Sequence, residues 1–346
     1  MSGTEEGPGG RTLAVIAAEA GVSVSTVSKV LHNRSDVAAR TRAKVQRLLA
    51  QHGYPGRSGP AATALAAGGL IDFVVNELDG AWAVELIRGA EEALDAVGMG
   101  LVVSAAHSRQ GRQGRRWLDS LAARRTLGAI LVVPELDQDE HRELRGLGIP
   151  FALISPADEP PEGVPWVGAT NWPGGLAATR HLVRLGHRRI AVIGGPPHRL
   201  ASRARVDGYR SALEEAGLPY DPALVRYGDF TNEPAHRHAL DLLRLPDRPT
   251  AVFAGSDQQA LSTYRAAATL GLRIPADLSV VGFDDLPFAE WVTPRLTTVR
   301  TPLAEMAAVA AGMVLQLLGG SRPPSLRVEV ASELVVRDSS APPPAS

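Results

Sequence analysis

A chain of 346 residues with 45% apolar composition has room for two or three folding units and their cores, which excludes wholesale disorder. With no cysteine and no His-x-x-x-His or His-Glu-x-x-His spacing, it excludes disulfides, thiolate chemistry and the common histidine metal motifs, and a reducing compartment fits. The net charge of −1 hides a split: residues 11–57 carry eight cationic side chains against Glu19 and Asp36, a net of +6 that leaves −7 elsewhere, and a basic head on an acidic body points to a polyanionic partner.

Residues 1–10 are glycine-rich and acidic, without the basic and apolar parts of a leader, and are expected to be a disordered tail. No apolar run approaches the roughly 18 residues of a membrane span, so the expectation is a soluble, cytoplasmic protein with no membrane partner. Residues 12–52 predict three short helices. The first starts at the N-cap candidate Thr12 and puts Leu13, Ile16, Ala17 and Ala20 on one face. Gly21 breaks it. Ser23 can cap a second helix with Val27, Val30 and Leu31 inward, and a third from Thr41 carries Val45, Leu48, Leu49 and His52 to a stop at Gly53. None is long enough to stand alone in water, but together they can close a miniature core.

Tyr54 to Pro60 is dense in glycine and proline and reads as a linker, after which Ala61–Ala67 can form two helical turns with Pro60 leading in. From Leu70 onward apolar strands alternate with amphipathic helices. The predicted strands are 71–75, 101–104, 129–133, 151–154, 189–193, 251–254, 279–283 and 326–330; the predicted helices include 84–97, 175–185, 204–216, 235–243 and 258–270. Continuous apolar strands between helices imply parallel sheets covered on both faces. Two are expected, divided near residue 165.

The run Ala20-Gly21-Val22-Ser23, continuing through Thr26-Val27-Ser28 and Val30-Leu31 to Thr41-Arg42, Lys44-Val45 and Gly53-Tyr54, closely resembles the head of the lactose/galactose-repressor family. The likeness continues through Leu185-Gly186-His187, Gly208-Tyr209, Ser256-Asp257-Gln258, the stretch Asp277 to Asp285, and Leu296-Thr297-Thr298-Val299. It implies an N-terminal all-α helix-turn-helix head on an α/β periplasmic-binding-protein-like sensor with two doubly wound parallel-sheet subdomains. The implied boundaries are a head at 11–57, a linker and hinge helix at 58–69, and a sensor at 70–340. Within the sensor, one subdomain takes 70–168 and 301–324 and the other 169–298 and 325–338, with crossovers near 168–171, 298–301 and 325–331.

With Val27, Val30 and Leu31 buried, Val24, Ser25, Ser28 and Lys29 face outward and can enter a major groove, where Lys29 can donate to guanine. Ser23, Thr26, Asn33, Thr41 and Arg42 read as phosphate-positioning groups. By resemblance, Ala62 and Leu65 belong to the hinge helix, with the leucine as a minor-groove wedge. Two departures stand out: Tyr54 to Leu65 spans eleven residues where the family usually has nine, and Ala38 stands where it usually has a capping serine.

Ligands of open α/β sheets bind at strand C-terminal ends, which nominates Asp79, Trp82, Phe230, Asp257 and Trp291, with Arg205 added by resemblance. A carboxylate, an arginine and several aromatic rings suit a sugar, and the aromatic set leans toward a plant-derived pentose or oligosaccharide. Asn171, Arg199 and Asp285 are further candidates, while Asp284 reads as structural. The expected partners are near-palindromic operator DNA, a small effector and a second copy of the chain, because two recognition helices must reach two half-sites. No leucine heptads occur in 338–346 to suggest a tetramer. No cofactor, metal site or catalytic residue is expected. A solute-binding protein of the same body fold predicts a leader and no basic head, and an enzyme reading of Gly194-Gly195-Pro196 lacks the dinucleotide spacing.

Overall fold

The computed structural model describes residues 13–31, 37–38, 41–42, 44–45, 48–49, 69–76, 78, 80–106, 116–124, 126–132, 136 and 138–344. The chain divides into two compact units, Met1–Ala67 and Gly68–Ser346.

In the first unit the helices Leu13–Ala20 and Val24–Leu31 are joined by Gly21 at φ 69°. The amide of Val22 reaches back to Ala17 O (3.0 Å) and that of Gly21 to Ala18 O (3.2 Å), the paired bonds that close a helix around a left-handed residue. Backbone at Thr41, Arg42, Lys44, Val45, Leu48 and Leu49 is helical. Ile16, Ala17, Ala20, Val27, Val30, Val45 and Leu49 form the core, as the three- and four-residue spacing predicts. The hinge segment 58–67 lies outside the described residues.

The second unit holds two six-stranded sheets. Strands β1 (Leu70–Val75), β2 (Gly100–Ala105), β3 (Gly128–Val132), β4 (Phe151–Ile154) and β5 (Trp166–Ala169) are joined by β11 (Arg327–Val330) in the order β11-β5-β4-β3-β1-β2, all parallel. Strands β6 (Ile190–Gly194), β7 (Val225–Tyr227), β8 (Ala251–Ala254), β9 (Ser279–Asp284), β10 (Thr297–Arg300) and β12 (Glu333–Val335) run in the order β12-β10-β9-β8-β6-β7, and only β12 is antiparallel to its neighbour. Each sheet buries both faces. In the first lobe Ile71, Phe73 and Val75 enter one core while Val74 enters the other; in the second, Ala191 and Ile193 face one core and Ile190 and Val192 its opposite. That alternation across a doubly covered sheet is why these strands read as continuous apolar runs.

Several elements depart from the sequence reading. Strands β5, β7, β10 and β12 and the helices Arg116–Arg124, Gln138–Gly146 and Leu303–Leu318 are additional. The sequence reading places 326–330 in the second subdomain, but Arg327–Val330 pairs with Trp166–Ala169 of the first sheet, so the third crossover follows it at 331–332. The physical reason is that β11 is a half-exposed edge strand. Its pairing is set by backbone hydrogen bonds, and side-chain pattern does not say which sheet supplies them.

Glycines set the closest helix contacts. A Cβ on Gly175 would lie 2.2 Å from the carbonyl oxygen of Arg205, and one on Gly208 would lie 2.3 Å from that of Trp172, so the helices Asn171–Arg184 and Leu200–Glu215 meet backbone to backbone. Gly89 does the same against Ala304, seating the helix Leu303–Leu318 on the first lobe.

Candidate functional site

The groups nominated on the first unit are arranged around the short helix Val24–Leu31. Val27 and Val30 are buried, whereas Ser23, Val24, Ser25 and Lys29 are exposed and Thr26 and Ser28 half-buried. The Ser23 hydroxyl accepts from the Thr26 amide at 3.2 Å and sits 2.9 Å from both the Ser25 and Thr26 hydroxyls, so it caps the helix and ties three polar residues at its start. Thr41 and Arg42 are half-buried on helical backbone, the Arg42 amide donating to Ala38 O at 2.9 Å. Helical geometry at Thr41 therefore forms with alanine at 38. Asn33, Ala62 and Leu65 lie outside the described residues.

In the second unit a cavity of about 260 Å³ opens between the two lobes at the C-terminal ends of their strands, the position that open α/β sheets favour. Trp82 and Ser155 come from the first lobe, and Arg199, Arg205, Phe230 and Asp284 from the second. All non-glycine residues with left-handed backbone among the described residues are Ser155 (φ 48°), Phe230 (70°), Asp284 (113°) and Asp285 (56°). Three of these line the cavity and the fourth adjoins it, a clustering of backbone strain typical of ligand sites.

Arg205 is the cavity's fixed charge. The guanidinium lies over the Phe283 ring, 3.6 Å from its centroid, and Nε donates to Asn171 Oδ1 at 2.9 Å while Nη1 donates to Gly255 O. Its Nη2 stands 3.5 Å from Asp284 Oδ1. Burial lowers the pKa of Arg205, and Asp284 partly offsets that effect. Burial raises Asp284 to about 6 in spite of Arg205, because the desolvation cost of the carboxylate outweighs the attraction. Phe230 packs so closely on Gly195 that a Cβ there would lie 2.0 Å from its ring.

Trp82, Arg205 and Phe230 thus share one cavity. Asp79 lies outside the described residues. Trp291 is 78% exposed and does not line the cavity, because the short helix Phe288–Trp291 turns its indole outward. Asp257 also requires correction. It is fully buried, taking the Leu286 amide on Oδ2 at 2.7 Å and the Thr298 hydroxyl on Oδ1 at 2.6 Å. As the first residue of the helix Asp257–Thr269 it bonds to Leu286 and Thr298 and does not line the cavity, and burial together with Asp284 raises its pKa well above the carboxylate range. Of Asp257 and Asp284, the one that lines the cavity is Asp284, read from sequence as structural. The same strand-end rule that nominated Asp257 applies to Asp284 as the last residue of β9; only the left-handed turn, invisible in composition, aims it inward. Ser155 and Ser256 were likewise missed, although each follows the end of a strand.

Among the described residues no three His, Asp or Glu side chains gather as a metal site, and no helix is long and apolar enough to cross a membrane. The family model described as bacterial regulatory proteins, lacI family, matches residues 12–55, and that of the periplasmic binding protein-like domain matches residues 179–340. The HTH-type transcriptional regulator CelR of Thermobifida fusca is 34% identical over 337 residues, covering 95% of this chain and 98% of its own. The regulator DegA of Bacillus subtilis is 32% identical over 336 residues, with 96% and 98% covered. Among solved structures, a CelR–cellobiose complex superposes with a TM-score of 0.72 at 33% identity, covering 95% of this chain and 99% of its own. The lac repressor dimer bound to operator and the anti-inducer ONPF gives 0.68 at 27%, covering 96% and 100%.

Proposed function

The chain belongs to the LacI family of DNA-binding transcription regulators, and from that premise we propose that it is a repressor controlled by a carbohydrate held between Trp82, Phe230, Arg205 and Asp284. The observation that carries this reading is the composition of the cavity: two aromatic rings, which can lie against the C–H faces of a pyranose, beside an ion pair that can meet its hydroxyls. The likeness to a regulator with bound cellobiose favours a β-linked glucose disaccharide as the first ligand to test.

On DNA, the outward side of the helix Val24–Leu31 is the base-reading surface. Lys29 is its donor, Val24 and Ser25 approach base edges, and Ser23, Thr26, Thr41 and Arg42 position phosphates. The regulator acts as a homodimer, as the lac repressor does on its operator, since two copies of the short helix are needed to span two half-sites. A regulator whose partner is operator DNA works in the cytoplasm in this reading. Ala62 and Leu65 keep the hinge roles implied by family resemblance, Asn33 that of a phosphate-positioning group, and Asp79 that of a strand-end effector contact.

Selection from random duplex DNA followed by fluorescence anisotropy tests the whole reading. The expected outcome is a near-palindromic site whose affinity falls steeply with salt and changes at least about tenfold on adding cellobiose, a differential affinity of about 1.4 kcal/mol. Salt-insensitive binding would remove the operator assignment. An operator complex indifferent to a full panel of mono- and disaccharides would remove the carbohydrate.

A further inference from the structure

The turn that follows β9 crosses from one core to the other within four residues. Asp284 lines the cavity. Leu286, 2% exposed, belongs to the apolar core of the first lobe even though β9 belongs to the second, and Phe288 packs against that same core. Ala289 is back in the core of the second lobe. A single turn thus touches the ligand space and both lobes.

Two carboxyl groups, Asp257 and Asp285, hold that turn in place. Asp257 Oδ2 accepts the Leu286 amide (2.7 Å) and Oδ1 the Thr298 hydroxyl (2.6 Å), while Gly282 has no room for a Cβ, which would lie 2.3 Å from Asp257 Oδ1. The Asp285 carboxylate accepts from Arg300 Nε at 2.8 Å and forms an ion pair with Arg337 Nη1, 2.7 Å away. The amide of Thr301, on the second crossover, donates to Asp284 O at 3.2 Å. Arg300 also pairs with Glu333, just past the third crossover, at 3.0 Å. The second of the three strands of chain that join the lobes is therefore bonded to this turn, and Arg300 links it onward to Glu333.

We propose that the turn Asp284–Phe288 is the coupling element of the sensor and that Asp257 is its positioning residue: by fixing the Leu286 amide, Asp257 keeps Leu286 seated in the first lobe, so that a ligand touching Asp284 acts on both lobes at once. The ligand arm of this inference rests on the proposed effector reading; the mechanical arm does not. A cavity and a seated side chain on one short turn form a two-ended contact of the kind that lets local binding bias a lobe movement.

Hydrogen exchange on the ligand-free full chain tests the mechanical arm. In Thr298→Val and Asp257→Asn, amides of residues 285–289 are expected to exchange about tenfold faster, as loss of a buried hydrogen bond implies. Peptides of the first lobe packed on the same core, Ile71–Val75 and Leu303–Val314, should accelerate with them, while Arg116–Arg124 on the opposite face of that sheet should not. Acceleration confined to the second lobe, or none, overturns the proposal. Thr298→Val, nearly isosteric, decides the matter if Asp257→Asn fails to fold.

The ligand arm uses Phe288→Ala, whose side chain does not line the cavity. It should bind cellobiose within about threefold of the parent affinity, yet the ratio of operator affinities without and with cellobiose should fall toward one. A preserved ratio overturns the proposal. If the parent chain binds no cellobiose, that ligand assignment fails, and the exchange pattern still decides the coupling.

Discussion

The amide of Leu200, first residue of the helix Leu200–Glu215, donates to the carbonyl of Ala157 at 2.8 Å, so a backbone hydrogen bond joins the second lobe to the first at the edge of the cavity. This amide is one of those a helix start leaves without an internal partner. Leu200→Pro removes it at a position that suits proline, and the preceding Arg199, at φ −74° and ψ 132°, already has the extended backbone that proline requires. A net hydrogen-bond value of about 0.5–1.5 kcal/mol predicts effector binding weakened by roughly two- to twelvefold. Isothermal titration with the effector provides the measurement, and ligand-free operator affinity should stay unchanged.

Asp284 gives effector binding a pH dependence of defined sign. Its carboxyl is raised to about 6, so below that pH the empty cavity holds a neutral acid, and a ligand hydroxyl donating to the carboxylate must first displace a proton. Affinity should be level above about pH 7 and fall by up to about tenfold per pH unit below 6. Asp284→Asn should bind weakly with a flat profile. Stability moves the other way: a raised folded-state pKa contributes stability that is present below the unfolded value of about 4 and lost as pH rises through 6. The Tm difference between Asp284→Asn and the parent chain, measured from pH 4 to 7, should therefore shift in favour of the variant.

Gly195 supports the aromatic wall of the cavity. In Gly195→Ala the new methyl would lie 2.0 Å from the Phe230 ring, a distance only displacement of the ring can relieve. The expected loss of effector affinity is about that of one aromatic contact, ~0.5–1.5 kcal/mol. Phe230→Ala should lose as much, and the double variant little more, because both remove the same contact. Additive losses would show that Gly195 acts elsewhere.

On the DNA side, Lys29→Ala and Arg42→Ala should differ in kind. Loss of a base contact at Lys29 should cost about 1–3 kcal/mol and relax preference at one operator position. Loss of a phosphate contact at Arg42 should weaken all sequences alike and reduce the salt slope by about one. Effector titration should be indifferent to both. Anisotropy against a set of single-base operator variants separates the two outcomes.

The sequence was most informative where side-chain period and backbone geometry agree. Val27 and Val30 on one face of an eight-residue helix, and the strands 151–154 and 251–254, were legible because burial alone selects those residues. Edge strands such as Arg327–Val330 were legible as strands but not as members of a particular sheet. The helix Leu303–Leu318 was missed because it is apolar nearly all round, with alanine and methionine packed into the core of the first lobe, so no amphipathic stripe marks it. At the cavity, Trp82 and Phe230 were legible from position relative to strands, and Arg205 from family resemblance. The exchange of roles between Asp257 and Asp284 was not, since it depends on a φ of 113° at one residue.

The glycine contact at Gly175 and Gly208 has a consequence for how ligand preference can change. With Arg205 carried on a helix pressed against its neighbour without intervening side chains, the cationic floor behaves as a rigid beam, and moving it would require re-spacing two helices at once. Ser155 and Phe230 stand on turns after strands and are not carried by that helix pair. New tastes in sugar should therefore be written in the rim, while the beam beneath stays as it is.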